Sequence, residues 1–376
     1  MTRRNLRQLS GQDRELRILY VEPLGVVGGM GRYNEALVTG YEQAGAILQV
    51  VTSSHDASDA FRANVHVSRL FHLALDRSKP RILRALGYLG GYLGCVRLAR
   101  RSDVVVVHFL HRPSADRWAL KTFRRLGCRL VLVAHDPQPV LVSQRGTAYQ
   151  QCLGLFDVIV VHGPSARSDI VAQGAPGNRV IVAPFGDYRS MLPLDPAEVC
   201  RVLGLPHLTH PVAAIIGNLK PGKGIARARE ALDFDHSPVC TLLIAGTRQG
   251  DWDLKKALRG SESTQLEIVH VDRRMSDLEE LAAYSAGDVI LALYDSGYSS
   301  AVIARAHSIG KPVVLTDVGD LALQARPSDA VVPADYTSEQ LCEAIARCLQ
   351  ASVGAPTMWD REAWFHQARS VLSRLI

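Results

Sequence analysis

Gly287–Thr316, GDVILALYDSGYSSAVIARAHSIGKPVVLT, reads as a strand, a Gly/Ser-rich turn, a helix, a second turn and a buried strand. That order sets Tyr294-Asp295-Ser296-Gly297-Tyr298-Ser299-Ser300 at a helix N-terminus. There, backbone N–H groups without intrahelical acceptors and the positive end of the helix dipole attract phosphate. The implied guest is a phosphorylated small molecule. A similar unit stands near the start of the chain: the strand-like Arg17-Ile18-Leu19-Tyr20-Val21, the loop Gly25-Val26-Val27-Gly28-Gly29-Met30-Gly31 and a helical run toward Ala44. Two such units imply two α/β halves facing one ligand.

Apolar runs rich in Val, Ile and Leu recur between helical stretches at Ile18–Val21, Leu48–Thr52, Val104–Phe109, Leu130–Ala134, Val158–Val161 and Val180–Ala183. Continuous apolar strands alternating with helices predict a parallel sheet buried on both faces. After Pro184-Phe185-Gly186-Asp187 and the Pro-containing stretch to Pro211, the rhythm restarts at Val212–Ile216, Thr241–Ala245, Glu267–Val271, Val289–Leu293 and Val313–Thr316. The expected organisation is α/β with two doubly wound, Rossmann-like domains, residues 1–190 and 191–356, facing a central cleft. A C-terminal helix over 357–376, striped by Trp364, Phe365, Ala368, Val371, Leu372 and Leu375, is expected to pack back on the first domain. Two domains also fit the length of 376 residues, which exceeds the ~250–300 at which single cores stop growing.

With 47% hydrophobic and 21% charged residues the composition is that of a globular protein. Seven cysteines, odd in number and without C-x-x-C spacing, predict a reducing compartment and no structural zinc. The polar, basic Met1–Arg17 lacks the apolar region of a secretory signal. No run reaches the ~18 apolar residues of a membrane span. The expected location is cytoplasmic, peripheral at most on the inner face of the membrane.

The net charge of +6 is partly local. Over residues 77–101, Arg77, Lys79, Arg81, Arg84, Arg97, Arg100 and Arg101 interleave with Leu83, Leu86, Tyr88, Leu89, Tyr92 and Leu93 at helical intervals. One reading is an interfacial helix on an anionic membrane surface; the other is a core-packed helix with solvated basic ends. No nucleic-acid motif or aromatic platform accompanies the charge, so nucleic acid is not an expected partner.

Gly217-Asn218-Leu219-Lys220-Pro221-Gly222-Lys223-Gly224 ends a predicted strand and opens a helix, bringing two ammonium groups to a Gly-rich turn suited to a diphosphate. It is not a nucleotide-hydrolase phosphate loop, because Gly224 replaces the hydroxyl residue that binds magnesium. The Gly28-Gly29-Met30-Gly31 loop departs from G-x-G-x-x-G spacing, and its small residues allow close approach of a ligand. His135 and Asp136 follow a strand at its carboxyl edge, where an imidazole donates to a substrate hydroxyl or moves a proton. His108 and His111 flank another strand end as rivals; as a metal set with His135 they have no diagnostic spacing.

These segments, in this order, resemble the retaining glycosyltransferases of the GT-B fold, in particular glycosyltransferase family 4. The likeness runs from Gly28-Gly29-Met30-Gly31 through Val133-Ala134-His135-Asp136, Val182-Ala183-Pro184-Phe185-Gly186-Asp187 and the Gly217–Gly224 turn to Gly310-Lys311-Pro312-Val313-Val314-Leu315-Thr316-Asp317. It implies a nucleotide diphosphate sugar donor held by the second domain, a glycan or lipid-linked acceptor held by the first, and transfer with retention, without metal or cofactor. Carried over, His135 and Asp136 become the catalytic candidates. Gly28, Gly29, Gly31, Asn218, Lys220, Lys223, Tyr294, Ser299, Ser300 and Arg305 become the donor-binding set. Asn218 stands where the family has Arg, with Lys220 near enough to replace the charge. The family's paired glutamates fall on Gly297 and Arg305, and a guanidinium cannot accept from ribose hydroxyls. Arg305 then either clamps phosphate or sits on the surface of a degenerate site. The degenerate case implies a non-catalytic relative that binds a nucleotide sugar or a partner enzyme as a regulatory subunit.

Overall fold

A computed structural model describes residues 15–23, 29–53, 65–76, 78–135, 137, 146–233, 237–250, 252–258, 266–351 and 361–375. Gly28 and Asp136 lie outside the described residues. The chain divides into two compact units, one of residues 1–162, 167–184 and 361–376 and one of residues 163–166 and 185–360.

The first unit holds a seven-stranded sheet in the order β3-β2-β1-β4-β5-β6-β7, formed by β1 (Arg17–Glu22), β2 (Ile47–Thr52), β3 (His66–Arg69), β4 (Val104–Val107), β5 (Arg129–Val133), β6 (Val158–Val161) and β7 (Val180–Val182). Every pairing is parallel. All four residues of β4 and of β6 are buried, as strands covered on both faces by helices must be. The strand order reverses direction between β1 and β4. Ligands of open parallel sheets bind outside the carboxyl ends of the strands at such a switch point.

Helix α1 (Gly29–Gln43) follows β1. The C-terminal helix, Arg361–Ser373, lies against it. Trp364 is buried there, its ring edge-on to Tyr33 at 5.0 Å. A side chain on Gly40 of α1 would overlap the carbonyl of Trp364, so the two backbones touch where α1 has no Cβ.

The second unit has six parallel strands in the order β10-β9-β8-β11-β12-β13. These are β8 (Val212–Leu219), β9 (Thr241–Arg248), β10 (Glu267–Asp272), β11 (Val289–Ala292), β12 (Val313–Thr316) and β13 (Ala330–Val332). Its switch point falls between β8 and β11. Helix starts are fixed by side chains: Ser276 and Glu279 form a reciprocal box on the helix Asp277–Ala286, and Thr337 and Gln340 do so on Ser338–Gln350. Such caps contribute ~1 kcal/mol each by satisfying otherwise orphaned N–H groups.

Both central sheets match the strands expected from the apolar runs. The edge strands β3 and β13 were not expected. β3 (HVSR) is exposed or half-exposed throughout and has no apolar run, and β13 (AVV) has one only three residues long, shorter than the runs read as strands.

The basic segment divides between its two readings. It forms a helix, Arg81–Ala99, that buries Tyr88, Gly91, Tyr92, Cys95 and Ala99 while exposing Ile82, Leu83, Leu86, Leu89 and Leu93. Beneath it, Tyr88 and Tyr92 both donate to Asp116, at 2.7 and 2.9 Å. All seven cysteines are free. Among the described residues, no helix is long and apolar enough to cross a membrane.

Candidate functional site

Each switch point carries a cluster of polar side chains, and the two clusters differ in kind. In the first unit β1, β4, β5 and β6 are neighbours in the sheet, and Glu22, His108, His135 and His162 follow one another along its carboxyl edge, His135 standing two residues beyond the register of His108. Nδ1 of His108 lies 3.0 Å from Nε2 of His135, and the Glu22 carboxylate is 3.8 Å from His108 Nδ1. Tyr33, in the first turns of α1, sets its ring edge-on to His135 at 4.2 Å. Nδ1–H of His162 donates to the Ala183 carbonyl at 2.9 Å, leaving Nε2 to accept from the Tyr33 hydroxyl at 3.1 Å. Gln367 of the C-terminal helix donates to that hydroxyl at 3.3 Å.

Burial disfavours the charged form of each imidazole. It pushes His108 down to about 3 and His162 to about 4, and His135 well below the usual histidine range. Burial likewise raises Tyr33, which stays protonated. The three imidazoles and Tyr33 are thus neutral donors and acceptors at physiological pH, and the half-buried His135 is the member of the cluster placed to meet a hydroxyl group.

His108, expected as a rival of His135, is therefore its hydrogen-bond partner. His111 stacks on Phe109 at 5.5 Å, and burial pushes it to about 4. Among the described residues, no three His, Cys, Asp or Glu side chains converge as a metal site. His162, Tyr33 and Gln367 escape a reading of local motifs because they meet only through strand order and the return of the C-terminal helix. The one available signal was that His162 directly follows the apolar run Val158–Val161.

In the second unit the turn after β8 and the turn after β11 come together. The Asp295 amide donates to the Gly222 carbonyl at 3.0 Å, tying one turn to the other. Nζ of Lys223 lies 3.7 Å from the centre of the Tyr294 ring, a cation–π contact that fixes the ammonium. The Tyr294 hydroxyl in turn lies 3.0 Å from Ser300 Oγ. Gly224 starts the helix Ile225–Leu232 with φ of +68°, and a Cβ there would overlap the Leu293 carbonyl, so only glycine closes this turn. Asn218 and Lys220 are exposed beside it, and Lys223 is half-buried.

The Ser300 turn has fewer free amides than its sequence suggests. Ser300 N–H donates to Gln324 Oε1 at 2.7 Å, and Ser300 Oγ accepts from Val302 N–H at 3.2 Å. Both donors expected to face a phosphate are thus committed within the protein. Ser299 stays partly exposed, and Ala301 and Ile303 of the helix Ala301–Ser308 have no intrahelical acceptor at its start.

Arg305 departs from both expectations for it. It is 2% exposed, packs inside the unit and donates through Nη1 to Met191 Sδ at 3.0 Å, so it lies neither on the surface nor at the exposed turn. Its place within Ala301–Ser308, AVIARAHS, was the available signal: the neighbours are almost all apolar. Gly297, the other departure, contacts Leu321 only at ordinary range, since an added Cβ would stand 3.5 Å from Cδ1. Gly29 and Gly31 lie in the first turn of α1.

Residues 27–186 match the family model described as Glycosyltransferase Family 4. No curated protein sequence matches the chain. Among solved structures, Alr3699/HepE from Anabaena in complex with UDP superposes with a TM-score of 0.64 at 16% identity, over 95% of this chain and 100% of that one. Sucrose-phosphate synthase (tll1590) from Thermosynechococcus elongatus gives 0.63 at 15% identity, over 96% and 94%. The apo form of the lipopolysaccharide outer core galactosyltransferase WaaB gives 0.58 at 11%, over 96% and 100%. At such identities the likeness establishes the fold. The chain therefore resembles the glycosyltransferases of family 4, and its two parallel-sheet units have the GT-B architecture.

Proposed function

We propose that this protein is a glycosyltransferase that moves a sugar from a nucleotide diphosphate sugar to a glycan or lipid-linked acceptor, with retained configuration and without metal. The observation that carries the reading is the convergence of Lys223, Tyr294 and Ser300 at the switch point of the second sheet, with Lys220 beside them. Fixed ammonium groups stabilise the charge that develops on a departing diphosphate, the step at which preorganised electrostatics contributes most. The neutral cluster of the first unit suits the hydroxyls of a sugar, with His135 as the donor nearest its surface. The UDP and UDP-glucose complexes of HepE make uridine nucleotides the first donors to test.

The test is a transfer assay with UDP-, GDP- and TDP-sugars against glycan and lipid-linked acceptors, with product stereochemistry read by NMR and chelator added in parallel. Retained configuration and indifference to chelator are the expected results. Inversion, or loss of turnover with chelator, contradicts the corresponding part of the reading.

A second reading is a non-catalytic relative that binds a nucleotide sugar or a partner enzyme. It is favoured by the absence of a carboxylate at Gly297 and by the burial of Arg305. Tight donor binding without turnover across all acceptors would select it.

The exposed leucines of the helix Arg81–Ala99, with Arg81 and Arg84 beside them, support peripheral attachment to an anionic membrane. Flotation with anionic vesicles at low salt, reduced by Leu86→Glu and by high salt, is the expected result. Equal recovery of parent and variant removes the attachment while leaving the chemistry standing.

A further inference from the structure

We propose that His108 is a positioning residue: its Nδ1–H donates to Nε2 of His135 and so holds His135 in the tautomer that carries its proton on Nδ1, presented as a hydrogen-bond donor to a hydroxyl oxygen of the bound sugar. The proposal rests on the sugar-transfer reading of the same site.

Two neutral imidazoles joined nitrogen to nitrogen at 3.0 Å share one proton, so one ring donates and the other accepts. Two observations decide which. First, His108 Nε2 is buried and has no hydrogen-bond partner among the described residues. A buried N–H without an acceptor is rarer and costlier than a lone pair without a donor, so the His108 proton belongs on Nδ1. Second, the buried Glu22 carboxylate stands 3.8 Å from that same Nδ1 and favours a hydrogen there over a lone pair. His108 is thereby the donor, and His135 Nε2 must accept.

The consequence lies on the other edge of the His135 ring. Nδ1 of His135 has no hydrogen-bond partner among the described residues, and the residue is partly exposed. With Nε2 occupied, the outward nitrogen carries the proton. His135 then donates to a substrate oxygen and is not available as a base. Tyr33 packs edge-on against the ring and Phe109 stacks at 5.5 Å, so the ring is held between them and cannot exchange its two edges freely.

The test is heteronuclear NMR on the whole chain labelled with 15N-histidine. His135 is assigned by its loss in His135→Asn, and the parent is compared with His108→Phe and His108→Asn. The expected parent spectrum has a protonated Nδ1 and an unprotonated Nε2 on His135 near neutral pH. His108→Phe should lose this bias and lower kcat about tenfold with little change in donor KM. His108→Asn, whose amide also donates, should restore most of both. A protonated Nε2 on His135 in the parent overturns the proposal, as does a tautomer or kcat unchanged in His108→Phe. If His108→Phe does not fold, a His108→Asn variant that keeps the tautomer supports the proposal, and one that reverses it overturns it. The NMR result is independent of turnover: a parent with the Nδ1–H tautomer that binds no nucleotide sugar would refute the sugar-transfer reading while the tautomer assignment stood.

Discussion

At the switch point of the first sheet the chain sets a buried His108, a buried His162 and a half-buried His135 around Tyr33; at that of the second it places an exposed Lys220 and a half-buried Lys223 on a glycine turn. The topology is shared, since both sheets are parallel and reverse strand order beside their first strand. The chemistry is not. Burial keeps the imidazoles of the first cluster neutral, so they act through directed hydrogen bonds. The second sets two ammonium groups on a more exposed turn, and Coulomb attraction for an anion acts over a longer range than a hydrogen bond. One topology thus carries two kinds of polar cluster, and the difference arises from how far each strand-end turn stands out from the core.

The comparison breaks first at Gly224. Gly224→Ala forces a Cβ toward the Leu293 carbonyl at a positive φ, and the expected cost is ~3 kcal/mol of stability, measured by urea unfolding. A stability within ~0.5 kcal/mol of the parent would show that the lysine turn is not held as described.

The neutral cluster makes a pH prediction of definite sign. His162 is depressed from 6.5 to about 4, so its contribution is fully present above pH 6.5 and is lost as pH falls through about 4. His108, pushed to about 3, acts in the same sense. At ~1.4 kcal/mol per pH unit for each group, the limit for His162 is on the order of 3 kcal/mol. Asp116 runs the other way: burial raises it from 3.8 to about 6, so its contribution is fully present below pH 3.8 and is lost as pH rises through about 6. Urea unfolding of the parent and His162→Gln between pH 7.5 and 4.5 separates them. The variant should lose less stability on acidification, and parallel profiles would contradict the neutral cluster.

Tyr294→Leu removes both the ring beneath Lys223 and the partner of Ser300, and should weaken UDP binding about fivefold, or ~1 kcal/mol. Tyr294→Phe, which keeps the ring, should lose less; equal losses would assign the effect to the hydroxyl alone. The smallest effect belongs to Gly297→Glu. Its Cβ meets only ordinary contact, so stability should change by less than ~0.5 kcal/mol. UDP affinity should rise by a factor of about two to five as a carboxylate becomes available to ribose hydroxyls. Unaltered affinity would separate this turn from the ribose.

The sheets were legible because a strand buried on both faces writes itself as an uninterrupted apolar run, as Val104–Val107 and Val158–Val161 do. β3 and β13 were not, because short edge strands need no such run. At the site, the Lys223 turn and the Ser299–Ser300 turn could each be picked out in advance, since each follows a strand and carries its own turn chemistry. The pairing of His108 with His135 could not, because sequence gives strand ends without giving which strands are neighbours. The committed amide of Ser300 was hidden for a similar reason: its acceptor, Gln324, arrives from 24 residues away.

On the proposed function, the Lys223 turn holds a nucleoside diphosphate. Calorimetric titration of UDP into the parent and into Lys223→Ala at matched ionic strength tests it most directly. The expected results are saturable binding to the parent and at least a tenfold weaker affinity in a variant that unfolds at the same temperature. Equal affinities in the two proteins, or no binding of UDP, GDP or TDP to the parent, would contradict it.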